Sequence, residues 1–280
     1  MNRTHIPVAT ISAIALTLAG CSGGKSGSKT IDNTESQAAG KTLAASVEDS
    51  AAALGPANQG AAFASSATCY TLSGDVTDTD MDNIPVDATL TFANCVKTGQ
   101  NGTATFNGVE HVADTLPSQA AFAFTLDVDG TLDLAANGGA TATIHRTGSI
   151  AGSVPTPGTY QLTHDRSTTE DAQSNGQTLT ASEQYMLTTA YTPLSAWTPG
   201  TPPVAGSYSA TGSWNATVND ASADSTIATS TPLMFDPSCE SHITGGTIDA
   251  TFNGPNATRT LTVTWTGCGA RTVQYTETPN

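Results

Sequence analysis

Charge is what this 280-residue chain has least of: 12% of its residues are Asp, Glu, Lys or Arg, against a typical share of about a quarter. Basic residues are scarcest, nine Lys and Arg facing 24 Asp and Glu, for a formal net charge of −15. Those beyond Lys41, namely Lys97, Arg146, Arg166, Arg259 and Arg271, are scattered. Binding phosphates takes clustered Lys and Arg, so nucleic acid is excluded as a partner, and no basic stripe could hold an anionic membrane surface. The chain also lacks a Gly-x-Ser-x-Gly on a strand-to-helix elbow, which an α/β-hydrolase requires, and His-x-His or His-Glu-x-x-His spacing for a metal. No Gly-rich loop follows a strand and opens a helix, so nucleotides are not indicated.

One mostly apolar stretch stands at the N-terminus. Met1 to His5 is short and polar with one fixed charge, Arg3, and Ile6 to Ala19 is largely apolar, ending in Leu18-Ala19-Gly20-Cys21. The stretch is shorter than the roughly 20 apolar residues that span a bilayer as a helix, and it has the parts of an export signal. Leu18-Ala19-Gly20-Cys21 resembles the lipobox of bacterial lipoprotein precursors. That resemblance implies cleavage before Cys21, diacylglycerol on its thiol, and several acyl chains, palmitate among them, on the mature N-terminus. More than one chain anchors stably where one is marginal. Ser22 replaces the Asp that marks inner-membrane retention, so the expected destination is the outer membrane where the host has one.

The mature chain then changes character in steps. Residues 21–40 are Gly/Ser-rich without periodicity and read as a flexible tether. Within the segment 41–66, Leu43, Val47, Ala51 and Leu54 recur at helical spacing before Gly55-Pro56, which predicts one short helix and a linker. From residue 67 to 280 the period becomes two. Ile84, Val86, Ala88, Leu90 and Phe92 form one apolar face; Phe122, Phe124, Leu126 and Val128 form another; Tyr208, Ala210, Gly212 and Trp214 a third; Leu261, Val263 and Trp265 a fourth. Threonine and serine fill the alternate positions, the mark of antiparallel strands with one dry face. Asn101-Gly102, Asn107-Gly108, Asp129-Gly130, Asn137-Gly138, Asn175-Gly176 and Asn253-Gly254 read as hairpin turns. The fold class expected is all-β, an antiparallel sandwich or barrel-like meander of roughly ten to twelve strands. The proline-rich segment near 191–206 leaves open a division into two halves or one continuous sheet.

Four cysteines follow Cys21: Cys69, Cys95, Cys239 and Cys268. An even count in an exported chain points to disulfides, and the pairing favoured by proximity is Cys69–Cys95 with Cys239–Cys268. The absence of Cys-x-x-Cys weighs against zinc.

An acidic loop, Asp75-Val-Thr-Asp78-Thr-Asp80-Met-Asp82-Asn83-Ile84-Pro85-Val-Asp87, places carboxylates at alternate positions. Such a loop can converge on one hard cation, and calcium takes six to eight oxygens. The run resembles the calcium loops of thrombospondin type 3 repeats. By that resemblance Asp78, Asp80 and Asp82 supply side-chain oxygens and Ile84 a backbone carbonyl, with the closing carboxylate one residue late at Asp87. The other reading is a solvated acidic hairpin, and an ion there would rigidify the loop without performing chemistry.

The histidines His111, His145, His164 and His242 could join Asp114 or Asp165 only through folding. Trp214 and Trp265 fall on apolar parity and read as core, whereas Trp197, among prolines, reads as an exposed contact. Together these features predict a non-enzymatic, membrane-anchored structural or interaction module of the cell envelope, with an envelope protein or glycan as partner. The alternative is a carrier holding a lipid or other apolar ligand in a curved sheet. A hydrolytic enzyme ranks last.

Overall fold

The computed structural model describes residues 69–280 except 83, 100–101, 119–122, 175–176, 198–202, 219–220 and 254–256, together with residues 40, 43, 44, 47, 48 and 51. The signal segment, Cys21, the tether, Leu54 and Phe122 lie outside the described residues. So do members of three turn pairs, Asn101, Asn175-Gly176 and Gly254.

Period-two patterning becomes twelve strands: β1 (Tyr70–Asp75), β2 (Asp87–Gly99), β3 (Gly102–Asp114), β4 (Phe124–Ala136), β5 (Thr141–Thr156), β6 (Thr159–Ser174), β7 (Gln177–Pro193), β8 (Gly206–Val218), β9 (Ala221–Phe235), β10 (Ile243–Asn253), β11 (Ala257–Gly267) and β12 (Ala270–Pro279). Each pairs with its chain neighbours in one sheet, ordered β1 to β12, and every ladder is antiparallel. The expected all-β meander is therefore present. The sheet runs unbroken across the proline-rich segment, because Pro193 pairs with Gly206 and β7 lies directly beside β8.

One face of the sheet is dry. On β7, Ala181, Glu183, Tyr185, Leu187, Thr189 and Tyr191 are buried at alternate positions. Ala88, Leu90 and Phe92, then Phe124 and Leu126, then Leu261, Val263 and Trp265 do the same on β2, β4 and β11. Among the described residues no second sheet covers this face, so the sheet must curl around it. The core is one cluster reaching from β4 to β11, and it takes in Leu43, Ala44, Val47 and Ala51 from the N-terminal segment.

Those four residues are helical, as their spacing predicted. Val47 is wholly buried, a burial that stabilises by about 1.5–3 kcal/mol. A Cβ at Gly40 would come 2.5 Å from the Val273 side chain of β12, so glycine permits this close approach. Glu48 fastens the helix to the sheet: its Oε1 accepts from Trp265 Nε1 at 2.9 Å and from Arg271 Nη1 at 2.6 Å.

Two turn expectations were wrong. Asn107-Gly108 and Asp129-Gly130 lie inside β3 and β4, with Gly108 opposite Gly130. A Cβ on Gly130 would meet the Phe106 ring at 2.8 Å, so the glycines make a floor for that ring. Asn107 serves a bulge: its Oδ1 accepts from the N–H of Asn94, which has φ of 52° at a register shift between Phe92 and Cys95. Asn137-Gly138 does form the β4–β5 connection, with Gly139 at φ 83°.

Trp197 also departs from expectation. It is buried, its ring centroid 4.4 Å from Tyr160 and 5.8 Å from Tyr191. The proline-rich segment thus delivers an aromatic cap onto the dry face. Trp265 is core as expected, and Trp214 is partly buried with its Nε1 donating to Glu183 Oε1 at 2.7 Å.

Both disulfides form as paired by proximity. Cys69–Cys95 has Cα atoms 5.3 Å apart, and Cys239–Cys268 has them 5.5 Å apart. The first staples the start of β1 to β2. The second joins the β9–β10 loop to the β11–β12 turn.

Candidate functional site

The acidic loop connects β1 to β2 at one end of the sheet, and its local hydrogen bonds fix its shape. Asp75 Oδ1 accepts from Thr77 N–H at 3.1 Å and Thr77 Oγ1 at 2.6 Å, which holds the Asp75 carboxyl below its ordinary range. Asp78 Oδ1 accepts from Met81 N–H at 2.7 Å and Asp82 N–H at 3.2 Å, and Met81 has φ of 66°. Asp82 Oδ1 accepts from Ile84 N–H at 2.8 Å. Ile84 is buried in the core and anchors the loop to the domain. Two further bonds tie the loop to β3 and the strand's exit: Asp114 N–H donates to Pro85 O at 3.1 Å, and Thr79 Oγ1 donates to Pro117 O.

This geometry brings together Asp78, Asp80 and Asp82, one carboxylate oxygen from each lying within 4.8 Å of the others. Asp82 is wholly buried, and its Oδ2 has no hydrogen-bond donor. Both carboxylate oxygens of Asp80 are likewise sealed from solvent and without a donor. Burial, followed by the charges of Asp80, Asp114 and Asp78, pushes the Asp82 carboxyl up to about 6 against the pull of Ile84 N–H. Asp114 at the end of β3 is buried too, and burial with the charges of Asp80 and Asp78 raises it. Three carboxylates therefore converge, with Asp114 close by on β3.

Asp87 is placed elsewhere. It opens β2 on the outer face, where its Oδ1 is 2.8 Å from His111 Nε2, and both side chains are exposed. Ile84 gives its N–H to Asp82, as described, and its side chain to the core. Asp114 was not read as part of this group because it lies 32 residues beyond Asp82 and its strand hides the connection; the ladder β2–β3 brings the two together.

The dry face also carries an interior polar patch that composition did not reveal. Arg146 on β5 is opposite Thr168 on β6, and Thr168 is opposite Glu183 on β7. Thr168, Glu170 and Glu183 are buried, and the Arg166 guanidinium lies 4.3 Å over the Tyr185 ring. His164 is 3.2 Å by Nε2 from Tyr185 Oη, and burial, with Arg166 and Arg146, pulls its pKa down to about 3. Glu110 on β3 is pushed by burial up to about 7. Two of the five late basic residues are thus neighbours inside the fold, although scattered in sequence.

The histidine–aspartate pairs do not assemble. His111 faces outward while Asp114 faces the dry side, and His164 faces inward while its neighbour Asp165 alternates outward. His145 Nε2 lies 3.7 Å from Asp129 Oδ1, both on the exposed face. Among the described residues the arrangement offers a cation cradle and a buried charge network. It brings no nucleophile onto a base in a cleft. Comparison with protein-family models, with curated proteins and with solved structures finds no match to this chain.

Proposed function

We propose that this chain is an exported lipoprotein, anchored through acyl chains on Cys21, whose β domain is a non-enzymatic structural or interaction module of the cell envelope. One observation supports the module reading: Leu43, Ala44, Val47 and Ala51 of the helix join the core cluster on the dry side of the sheet. A carrier of apolar ligands keeps such a face for its cargo, whereas here residues of the chain itself pack on it. The outer face, rich in threonine, is then the surface offered to an envelope protein or glycan.

The two disulfides fit an oxidising, extracytoplasmic compartment. No described helix is long and apolar enough to cross a membrane. The 18 residues between Cys21 and Gly40 are rich in Gly and Ser.

The test is fractionation with mass spectrometry of the mature N-terminus. The reading expects the protein in membranes with an acylated Cys21, and Cys21→Ser protein retained unprocessed or released. A mature chain cut elsewhere, or one that leaves membranes with an unmodified Cys21, overturns it.

A further inference from the structure

We propose that a calcium ion binds between Asp78, Asp80 and Asp82, and that Asp114 of β3, and not Asp87, is the fourth carboxylate of the site. Clustered acids alone would not argue for this, since exposed acidic loops are common. The argument rests on Asp82, which is wholly buried and keeps Oδ2 without a donor, and on Asp80, both of whose oxygens are sealed and without one. A buried carboxylate that lacks donors is costly, and several side by side repel as well. Folded proteins meet that cost with a basic side chain, a proton or a metal. Among the described residues no Lys, Arg or His is paired with Asp80 or Asp82; the nearby His111 is held by Asp87 and Asp127 on the other face. Among the described residues the nitrogen donor to Asp82 is Ile84 N–H, on Oδ1 and not on the Oδ2 left without a partner.

The donor set decides the kind of ion. Every converging group is a carboxylate oxygen, with no sulfur or imidazole among them, which suits a hard cation. Carboxylates from a loop and from a neighbouring strand can adjust to the six-to-eight-fold, variable geometry of calcium, whereas magnesium demands a regular octahedron. Asp114 qualifies as the fourth arm on two counts. It is buried, and its N–H donates to Pro85 O at the close of the acidic loop, which sets its carboxyl beside that loop. One of its oxygens is committed, Oδ1 accepting from Leu116 N–H at 2.7 Å, which fixes the orientation of the carboxyl. An ion there would clamp the β1–β2 loop to the end of β3, across a junction otherwise held by the Asp114 N–H to Pro85 O bond and by Thr79 to Pro117.

Calorimetric titration of the full mature protein with calcium chloride, after chelator treatment, tests both parts. Wild type should bind one equivalent, with magnesium at least 10-fold weaker. Asp82→Asn and Asp114→Ser should each lose at least 10-fold in affinity, and Asp87→Asn should stay within twofold. Serine at 114 keeps an oxygen for the Leu116 N–H, so its folding can be checked independently by melting. Absence of calcium binding by wild type overturns the site. Binding by wild type with Asp114→Ser unchanged, or with Asp87→Asn weakened 10-fold, overturns the fourth arm while leaving the ion.

Discussion

Two acidic regions stand near the two edge strands of the sheet, and they are satisfied differently. Near β12, Glu48 of the helix meets Arg271 and Trp265 at 2.6 and 2.9 Å, so the chain itself supplies both the positive charge and the second donor. Near β1, Asp80 and Asp82 meet no donor for three of their four carboxylate oxygens. The first region is complete as the chain folds. The second is the one the proposed calcium would complete.

The largest effects should come from the two disulfides. Replacing Cys239 and Cys268 by Ser should cost about 3–4 kcal/mol for a loop of this length, read from urea unfolding, with calcium affinity unchanged. The same change at Cys69 and Cys95 should cost a similar amount and also weaken calcium, because that bridge holds the strands flanking the acidic loop. Equal calcium affinities in the two double variants would remove the distinction.

Next in size is the ion itself. Calcium at about 100 times its Kd should stabilise by roughly 2.7 kcal/mol, and its removal by chelator should lower the Tm by about 5–10 °C. Glu48→Ala should cost about 1–3 kcal/mol through the stranded Arg271 and Trp265 donors, and by the same amount with or without calcium.

Glu110 gives a smaller, pH-dependent effect. Burial raises its pKa to about 7, so the folded state binds its proton more tightly than the unfolded chain does. Its contribution is fully present below pH about 4.5 and fades as the pH rises through 7. Glu110→Gln should therefore be more stable than wild type at pH 8 and gain little at pH 4, in chelator-treated protein. His164 acts in the opposite sense: its pKa of about 3 in the fold means stability is lost as the pH falls below the ordinary histidine value. The smallest effect is Asp87→Asn, which removes an exposed pair with His111 and should change stability by less than about 0.5 kcal/mol.

Much of the architecture was legible because alternation is a local signal. The dry faces of Ala88 to Phe92, Phe124 to Val128 and Leu261 to Trp265 were read directly, as was the helical stripe of Leu43, Val47 and Ala51. What failed were residues whose role depends on a partner far along the chain. Asn107-Gly108 and Asp129-Gly130 carry the chemistry of turns, yet they serve a bulge and a floor beneath Phe106. Trp197 looked exposed because its proline neighbours give no period, and its burial follows from where the segment returns. In β3 the alternation itself misleads, since Val109 is exposed while Glu110 is buried. The acidic loop was visible as a run of aspartates, but its fourth member was not, because Asp114 joins it through strand pairing and not through spacing.

The most direct measurement is a crystal structure of the protein grown with calcium, with anomalous scattering collected to identify the ion. The account predicts one calcium bound by Asp78, Asp80, Asp82 and Asp114 at about 2.3–2.6 Å, with Asp87 still on His111. Density for a water or a basic side chain among those carboxylates, with no anomalous signal, would contradict it.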